Sequence, residues 1–149
     1  MRATKPIACA TVVAALAGVS VASASTYRDG PLKATFRART HHPNCKQKWP
    51  VTVTATYRGR PAHATAYYQF LYGGMVVGTQ YPFSNTRRNR HNRIWHFHGR
   101  FTDRTFGPFG ALAVGHSITV RAVVRDGRYT AYPSYSVRVV KVRGCHAVH

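Results

Sequence analysis

The chain has 149 residues, a length typical of one domain. Its 22 Lys and Arg residues outnumber 3 acidic residues, so the formal net charge is +19 at pH 7. Such a surplus attracts polyanions through Coulomb forces, although plentiful Arg, Ala and Val also fit a GC-rich coding bias. Because acid–base catalysis by carboxylates needs two acids in one pocket, the composition disfavours that class of enzyme.

The first 24 residues have the layout of an export signal. Arg2 and Lys5 form a positive n-region, residues 7–21 form an apolar stretch, and Ala22-Ser23-Ala24 offers small residues to a signal peptidase. We predict cleavage after Ala24, which leaves a secreted or cell-envelope domain at 25–149 without stable membrane insertion. The alternative is an uncleaved anchor, but the stretch is barely long enough to span a bilayer and is rich in Ala and Ser.

Strands are predicted throughout the domain, because apolar and polar residues alternate and no segment keeps a helical period. The first two predicted strands, 32–39 and 50–58, show this alternation, and each has one apolar face and one mainly polar face. The predicted strands cover 32–39, 50–58, 62–72, 75–80, 94–102, 117–125 and 128–142. Gly73-Gly74 and Asp126-Gly127 are hairpin signals, and a slip in phase at Val139-Val140 predicts a bulge or a bend.

Two segments carry a family resemblance. The run from Tyr68 to Thr79 resembles the central hairpin of bacterial secreted immunoglobulin-like modules, and so does the Val-rich run from Ile118 to Gly127. The resemblance implies an all-β, immunoglobulin-like two-sheet antiparallel sandwich of about seven strands. Modules of this kind bind other molecules or act as spacers at cell surfaces, and they share no catalytic residues. The resemblance therefore implies no catalytic site.

Cys45 and Cys145 are the two cysteines of the predicted mature domain. In an exported chain such a pair predicts one disulfide, the alternative being two free thiols. Cys45 follows the first predicted strand and Cys145 follows the last. Because the first and last strands of an immunoglobulin-like order lie parallel along one edge, the two cysteines are expected to meet at one pole.

An arginine cluster is the sharpest candidate binding site. Arg87, Arg88, Arg90 and Arg93 lie within seven residues, close to Trp95. Guanidinium groups bind phosphate, sulfate and carboxylate in bidentate fashion, so the cluster is predicted to bind anions. The alternative is a solvated loop beside a Trp95 that belongs to the core, in phase with Phe97 and Phe101.

His96 and His98 are weak candidates for metal binding, since an H-x-H pair on a strand can present two ligands. The neighbouring Arg residues would repel a cation, so we predict no metal site and no cofactor. Asp103 is the sole plausible catalytic acid, and no nucleophile-elbow or phosphate-loop motif is present. The sequence therefore predicts a protein that is not an enzyme.

The function predicted from these features is non-catalytic binding at the cell envelope. The basic surface would engage an anionic polymer or another envelope component such as wall polysaccharide or phospholipid head groups, and nucleic acid only non-specifically. The alternative is a structural or adhesive immunoglobulin-like module whose sheet edge or tyrosine-bearing face binds another protein. Binding through charge is lost at high salt, whereas binding through apolar contact persists.

Overall fold

The computed structural model describes residues 24–81 and 94–145, which form eleven strands and one short 3-10 helix. The strands are β1 (Ala24–Asp29), β2 (Leu32–Ala38), β3 (Val51–Tyr57), β4 (Arg60–Pro61), β5 (His63–Tyr72), β6 (Met75–Gln80), β7 (Trp95–His98), β8 (Arg100–Asp103), β9 (Ser117–Asp126), β10 (Tyr129–Ala131) and β11 (Ser134–Arg138). The 3-10 helix covers Ala111–Ala113. Within the described residues no helix is long and apolar enough to cross a membrane. The predicted signal peptide lies outside them except for Ala24, the first residue of β1.

The seven predicted strand segments all contain strands, with two differences in detail. The segment 94–102 divides into β7 and β8 at Gly99, and the segment 128–142 divides into β10 and β11 at Tyr132-Pro133. Proline interrupts the second segment because it lacks an N–H for the sheet. β1 and β4 were not predicted, and β11 ends at Arg138, before the slip in phase at Val139-Val140.

The strands form two antiparallel sheets, which confirms the predicted all-β sandwich of immunoglobulin-like type. In the first sheet β1 pairs with β2 and β2 with β3, while β4 and β8 both pair with the other side of β3. In the second sheet β9 lies between β5 and the pair β10 and β11, and β6 and β7 both pair with β5. The two sheets bury their inner faces against each other in a single core.

The chain passes between the two sheets at Ala62 and at Gly99. Ala62 separates β4 from β5, and Gly99 separates β7 from β8. The Gly99 N–H donates to the Ala62 carbonyl at 2.8 Å, and the Gly99 carbonyl accepts from Ala55 N–H at 2.7 Å. A Cβ on Gly99 would lie 2.9 Å from Pro61 Cβ, and φ is +67°, so this corner requires glycine.

Aromatic side chains fill one end of the core. Phe36 lies fully buried, with ring centroids 6.1 to 6.2 Å from those of Trp49, Tyr68 and Tyr135. Trp49 also packs on Phe106 at 5.5 Å, and its indole N–H donates to the Thr40 carbonyl at 2.8 Å. Trp49 thereby joins the loop that follows β2 to the core between the sheets.

The cystine Cys45–Cys145 confirms the predicted disulfide, with a Cα–Cα distance of 6.0 Å. The segments that lead into it run parallel, as a bridge between Asn44 and Val140 shows. The Val140 N–H donates to the Pro43 carbonyl at 2.9 Å. We call this end of the sandwich the cystine pole.

Tyr135 carries a buried hydroxyl that has no hydrogen-bond partner among the described residues. Desolvation raises the pKa of this phenol. Tyr68 is also buried, but its hydroxyl donates to Asp103 Oδ2 at 3.4 Å. Burial, followed by the charge of Asp103 and this hydrogen bond, raises the pKa of Tyr68.

We expect Tyr135→Phe to leave the free energy of unfolding unchanged or to raise it by about 1 kcal/mol, because it removes an unsatisfied buried hydroxyl. The matched variant Tyr68→Phe should lower the free energy by about 1 kcal/mol, because it removes a hydroxyl that has a partner. Urea unfolding of both variants measures the difference. A larger loss for Tyr135→Phe than for Tyr68→Phe would show that the Tyr135 hydroxyl has a partner in solution.

Candidate polyanion-binding face

The outer face of the first sheet is formed by every second side chain of β2 and β3, because side chains alternate between the two faces along each strand. Leu32, Ala34, Phe36 and Ala38 are buried, so the side chains between them point outward. β3 follows the same rule, with Val51, Val53 and Ala55 buried. The pairing register then places the outward residues of neighbouring strands opposite one another: Lys33 with Thr56, Thr35 with Thr54, and Arg37 with Thr52.

β1 and β8 extend this face on both sides. Thr26 lies opposite Thr35 and Arg28 opposite Lys33 at one side, while Arg100 lies opposite Thr54 and Thr102 opposite Thr52 at the other. We call the resulting surface the threonine–arginine face. It consists of Thr26, Arg28, Lys33, Thr35, Arg37, Thr52, Thr54, Thr56, Arg100 and Thr102.

The centre of the face offers cations and hydroxyls together. Thr35, Arg37, Thr52, Thr54 and Arg100 line a depression of about 130 Å³. Arg37 and Arg100 stand on opposite sides of β3, and two strand spacings with a two-residue offset put their Cα atoms about 12 Å apart. Each guanidinium has five N–H donors, which suits anionic oxygens.

Hydroxyl groups pair across the strands of this face. Thr52 Oγ1 lies 3.0 Å from Thr102 Oγ1, and Thr26 Oγ1 lies 3.0 Å from Thr35 Oγ1. In each pair one hydroxyl donates to the other, so the second hydroxyl keeps its hydrogen for an external acceptor. The face is therefore rich in donors beyond its formal charge.

The acidic residues lie away from the threonine–arginine face. Asp29 Oδ2 accepts from Thr130 N–H at 2.7 Å, and Asp126 stands where β9 turns into β10. Asp103 is buried, and its Oδ1 accepts from the N–H and the hydroxyl of Thr105 at 2.9 and 2.7 Å. Since no carboxylate faces outward beside these cations, their attraction for anions is not cancelled locally.

A second basic cavity continues the face toward the cystine pole. It measures about 250 Å³ and lies in the loop between β2 and β3. Its lining includes Arg39, His42 and Lys48, all exposed, together with Asn44 and Gln47. Because Arg39 follows Arg37 at the next outward position, cations extend from the sheet into the loop.

The outer face of the second sheet differs from the threonine–arginine face, because its central cation, Arg121, already has partners within the protein. Arg121 donates to Gln69 Oε1 from Nε at 3.1 Å and from an Nη at 2.6 Å. Its guanidinium also lies 5.2 Å from the ring centroid of Tyr132. An arginine held by such contacts is less available to an external anion than Arg37 or Arg100.

The histidine candidates lie on this second face, near the Gly99 corner. His98 stands opposite His63, and the two rings stack at 4.2 Å, while His96 stands opposite Thr65. In the part of the chain that the structure describes, no three His, Cys, Asp or Glu side chains are grouped so as to hold a metal ion. Trp95 is partly buried against Phe101 at 5.9 Å.

The predicted anion cluster Arg87, Arg88, Arg90 and Arg93 lies outside the described residues, so it stays a prediction. The threonine–arginine face was not predicted from the sequence, although the residue pattern that forms it is visible there. The polar positions of the first two predicted strands contain only Thr, Lys and Arg. What the alternation did not show was that these two strands are neighbours and that β1 and β8 flank them.

No protein-family model matches this chain, and no curated protein matches it. Among solved structures, the crystal structure of chicken MD-1 complexed with lipid IVa is similar at 9% sequence identity. The match covers 78% of this chain and 97% of that chain, with a TM-score of 0.32.

Proposed function

We propose that this protein is a secreted, non-catalytic binding module of the cell envelope, and that its threonine–arginine face binds anionic polymers. The observation that carries the proposal is one sheet face with four cations, six threonine hydroxyls and no outward acid on β1, β2, β3 and β8. An exposed face of neighbouring extended strands suits an extended polymer with repeated phosphate, sulfate or carboxylate groups.

Three features support binding rather than catalysis. Asp29 and Asp103 accept hydrogen bonds from backbone or hydroxyl groups that hold the fold together, and Asp126 belongs to a hairpin. The depression at the centre of the face is lined by threonine and arginine side chains, and no carboxylate, histidine or cysteine of the described residues lines it. The cations stand on strands, which fix the spacing of their Cα atoms without a ligand.

The double variant Arg37→Gln/Arg100→Gln tests the face. With inorganic polyphosphate as the probe, we expect weaker binding and a slope of log K against log salt that falls by about 1 for each lost contact. Calorimetric titration across a salt series measures both. The matched control Arg125→Gln/Arg128→Gln removes the same charge from the β9–β10 hairpin and should change the slope less.

Equal losses in the two double variants would mean that net charge alone attracts the polymer and that the face is not a site. Neutralising Arg87, Arg88, Arg90 and Arg93 together tests the predicted cluster in the same titration. If only that change abolishes binding, the cluster rather than the face is the site. Binding of envelope fractions that persists at high salt would instead favour the alternative of a protein partner.

A further inference from the structure

The hairpin between β5 and β6 exposes apolar side chains at its tip. Tyr72 is 50% exposed, Met75 71%, Val76 47% and Val77 61%. The turn between them is Gly73-Gly74, with φ of +56° and +84°, and nothing lies within 4 Å of a Cβ built on either glycine. The tip therefore projects from the body of the sandwich, and large apolar groups that project into water indicate an interaction surface.

A second apolar group lies beside this tip. Leu112, in the 3-10 helix, is 78% exposed, and the adjacent Ala113 lines a cleft of about 300 Å³ together with Val77. The His116 ring meets the Tyr72 ring edge-on at 5.7 Å, which fixes the loop against the hairpin. Of the eight large apolar side chains that are exposed in the described residues, five lie here; the other three are Tyr27, Tyr81 and Ile94.

Cations lie on the β11 side of this apolar tip. Val139 exchanges hydrogen bonds with residues 115–116, next to Tyr72, so the exposed Arg138 and Lys141 stand close by. Arg143 and Lys46 follow at the cystine. Two of the three acids, Asp29 and Asp126, lie at the opposite pole, and the third, Asp103, is buried. The cystine pole is thus both apolar and basic, with no exposed acid among its described residues.

We infer that the cystine pole docks on an anionic lipid bilayer, with the β5–β6 tip and Leu112 entering the interface and the cations of this pole contacting lipid head groups. Apolar insertion combined with basic residues is the combination that holds peripheral proteins on anionic membranes. A second copy of the chain fits less well, because it would present the same cations to the same pole. This docking surface uses none of the ten residues of the threonine–arginine face and does not depend on their binding anions.

The double variant Met75→Gln/Val77→Thr tests this inference, because both changes keep side-chain size and lie at exposed positions. We expect the purified protein to bind vesicles of equimolar phosphatidylcholine and phosphatidylglycerol, and pure phosphatidylcholine much less. The variant should bind the anionic vesicles at least about tenfold more weakly in flotation assays. Its binding to polyphosphate should be unchanged. Ile94→Thr, an apolar-to-polar change outside the pole, is the matched control and should bind like the unmodified protein.

A second measurement keeps the test independent of variant folding. Tyr72→Trp places an indole at the tip, and its emission should shift to the blue on anionic vesicles and be quenched by brominated acyl chains. Equal binding by the Met75→Gln/Val77→Thr variant and no quenching of Tyr72→Trp would overturn the inference. So would a variant that only lowers self-association in light scattering, because the tip would then be an interface between copies of the chain.

Discussion

Replacing both Cys45 and Cys145 with Ser is expected to lower the free energy of unfolding by about 4 to 5 kcal/mol. The disulfide joins residues 100 apart, and the chain-entropy model assigns this loss to a loop of that length in the unfolded state. Since domains of this size are stable by only about 5 to 15 kcal/mol, the variant should lie near the threshold of folding. Urea unfolding of the oxidised protein and the double variant measures the difference.

The control for this experiment is the unmodified protein unfolded in the presence of a reductant. It should match the double serine variant, because both lack the same covalent restraint on the unfolded chain. The single replacement of either cysteine is unsuitable, since it leaves a free thiol. A loss below about 1 kcal/mol would mean that the unfolded chain already keeps the two ends together.

Trp49→Ala is expected to lower the free energy of unfolding by about 3 to 5 kcal/mol, the range for truncating a buried tryptophan. The indole is 2% exposed and contacts the rings of Phe36, Phe106, Phe109 and Tyr135. Its removal leaves a cavity where the loop after β2 meets the core, and the Thr40 carbonyl loses its donor.

Trp49→Phe separates these two effects, because it keeps a ring in the core but removes the indole N–H. We expect it to be clearly less destabilising than Trp49→Ala in urea unfolding followed by circular dichroism. Equal losses in the two variants would assign most of the effect to the hydrogen bond with Thr40 rather than to packing. A loss below about 1 kcal/mol for Trp49→Ala would show that the core closes around the missing ring.

Local rules were sufficient to predict most strands of this protein. The alternation of residues 32–38 and 51–57 needs only the two-residue repeat of a strand, so β2 and β3 could be assigned without any knowledge of their partners. Gly73-Gly74 and Asp126-Gly127 were assigned as hairpins because glycine adopts positive φ at little cost, as Gly73, Gly74 and Gly127 do here. The disulfide followed from its two cysteines and the expected parallel order of the chain ends.

Elements that depend on distant partners were missed. β4 has only two residues, and it is a strand because it pairs with Thr56 and Tyr57. β1 overlaps the predicted signal peptide at Ala24, and four of its six side chains are exposed, so its pattern is weak. Gly99 interrupts a continuous alternation, and the chain passes to the other sheet there with a positive φ and with Pro61 too close to leave room for a side chain.

The candidate surfaces likewise combine features that the local sequence predicts with features that only the tertiary structure defines. Sequence alone established the surplus of positive charge, and it predicted the polar face with Lys33, Arg37 and Thr52 and the pairing of the cysteines, because these follow from composition, alternation and cysteine number. Tertiary structure decided that Arg37 and Arg100 flank the same strand and that Ala113, the neighbour of Leu112, lines a cleft with Val77 of the β5–β6 tip. Surfaces of this kind join residues far apart in the chain, and only the pairing register and the packing of loops bring such residues together.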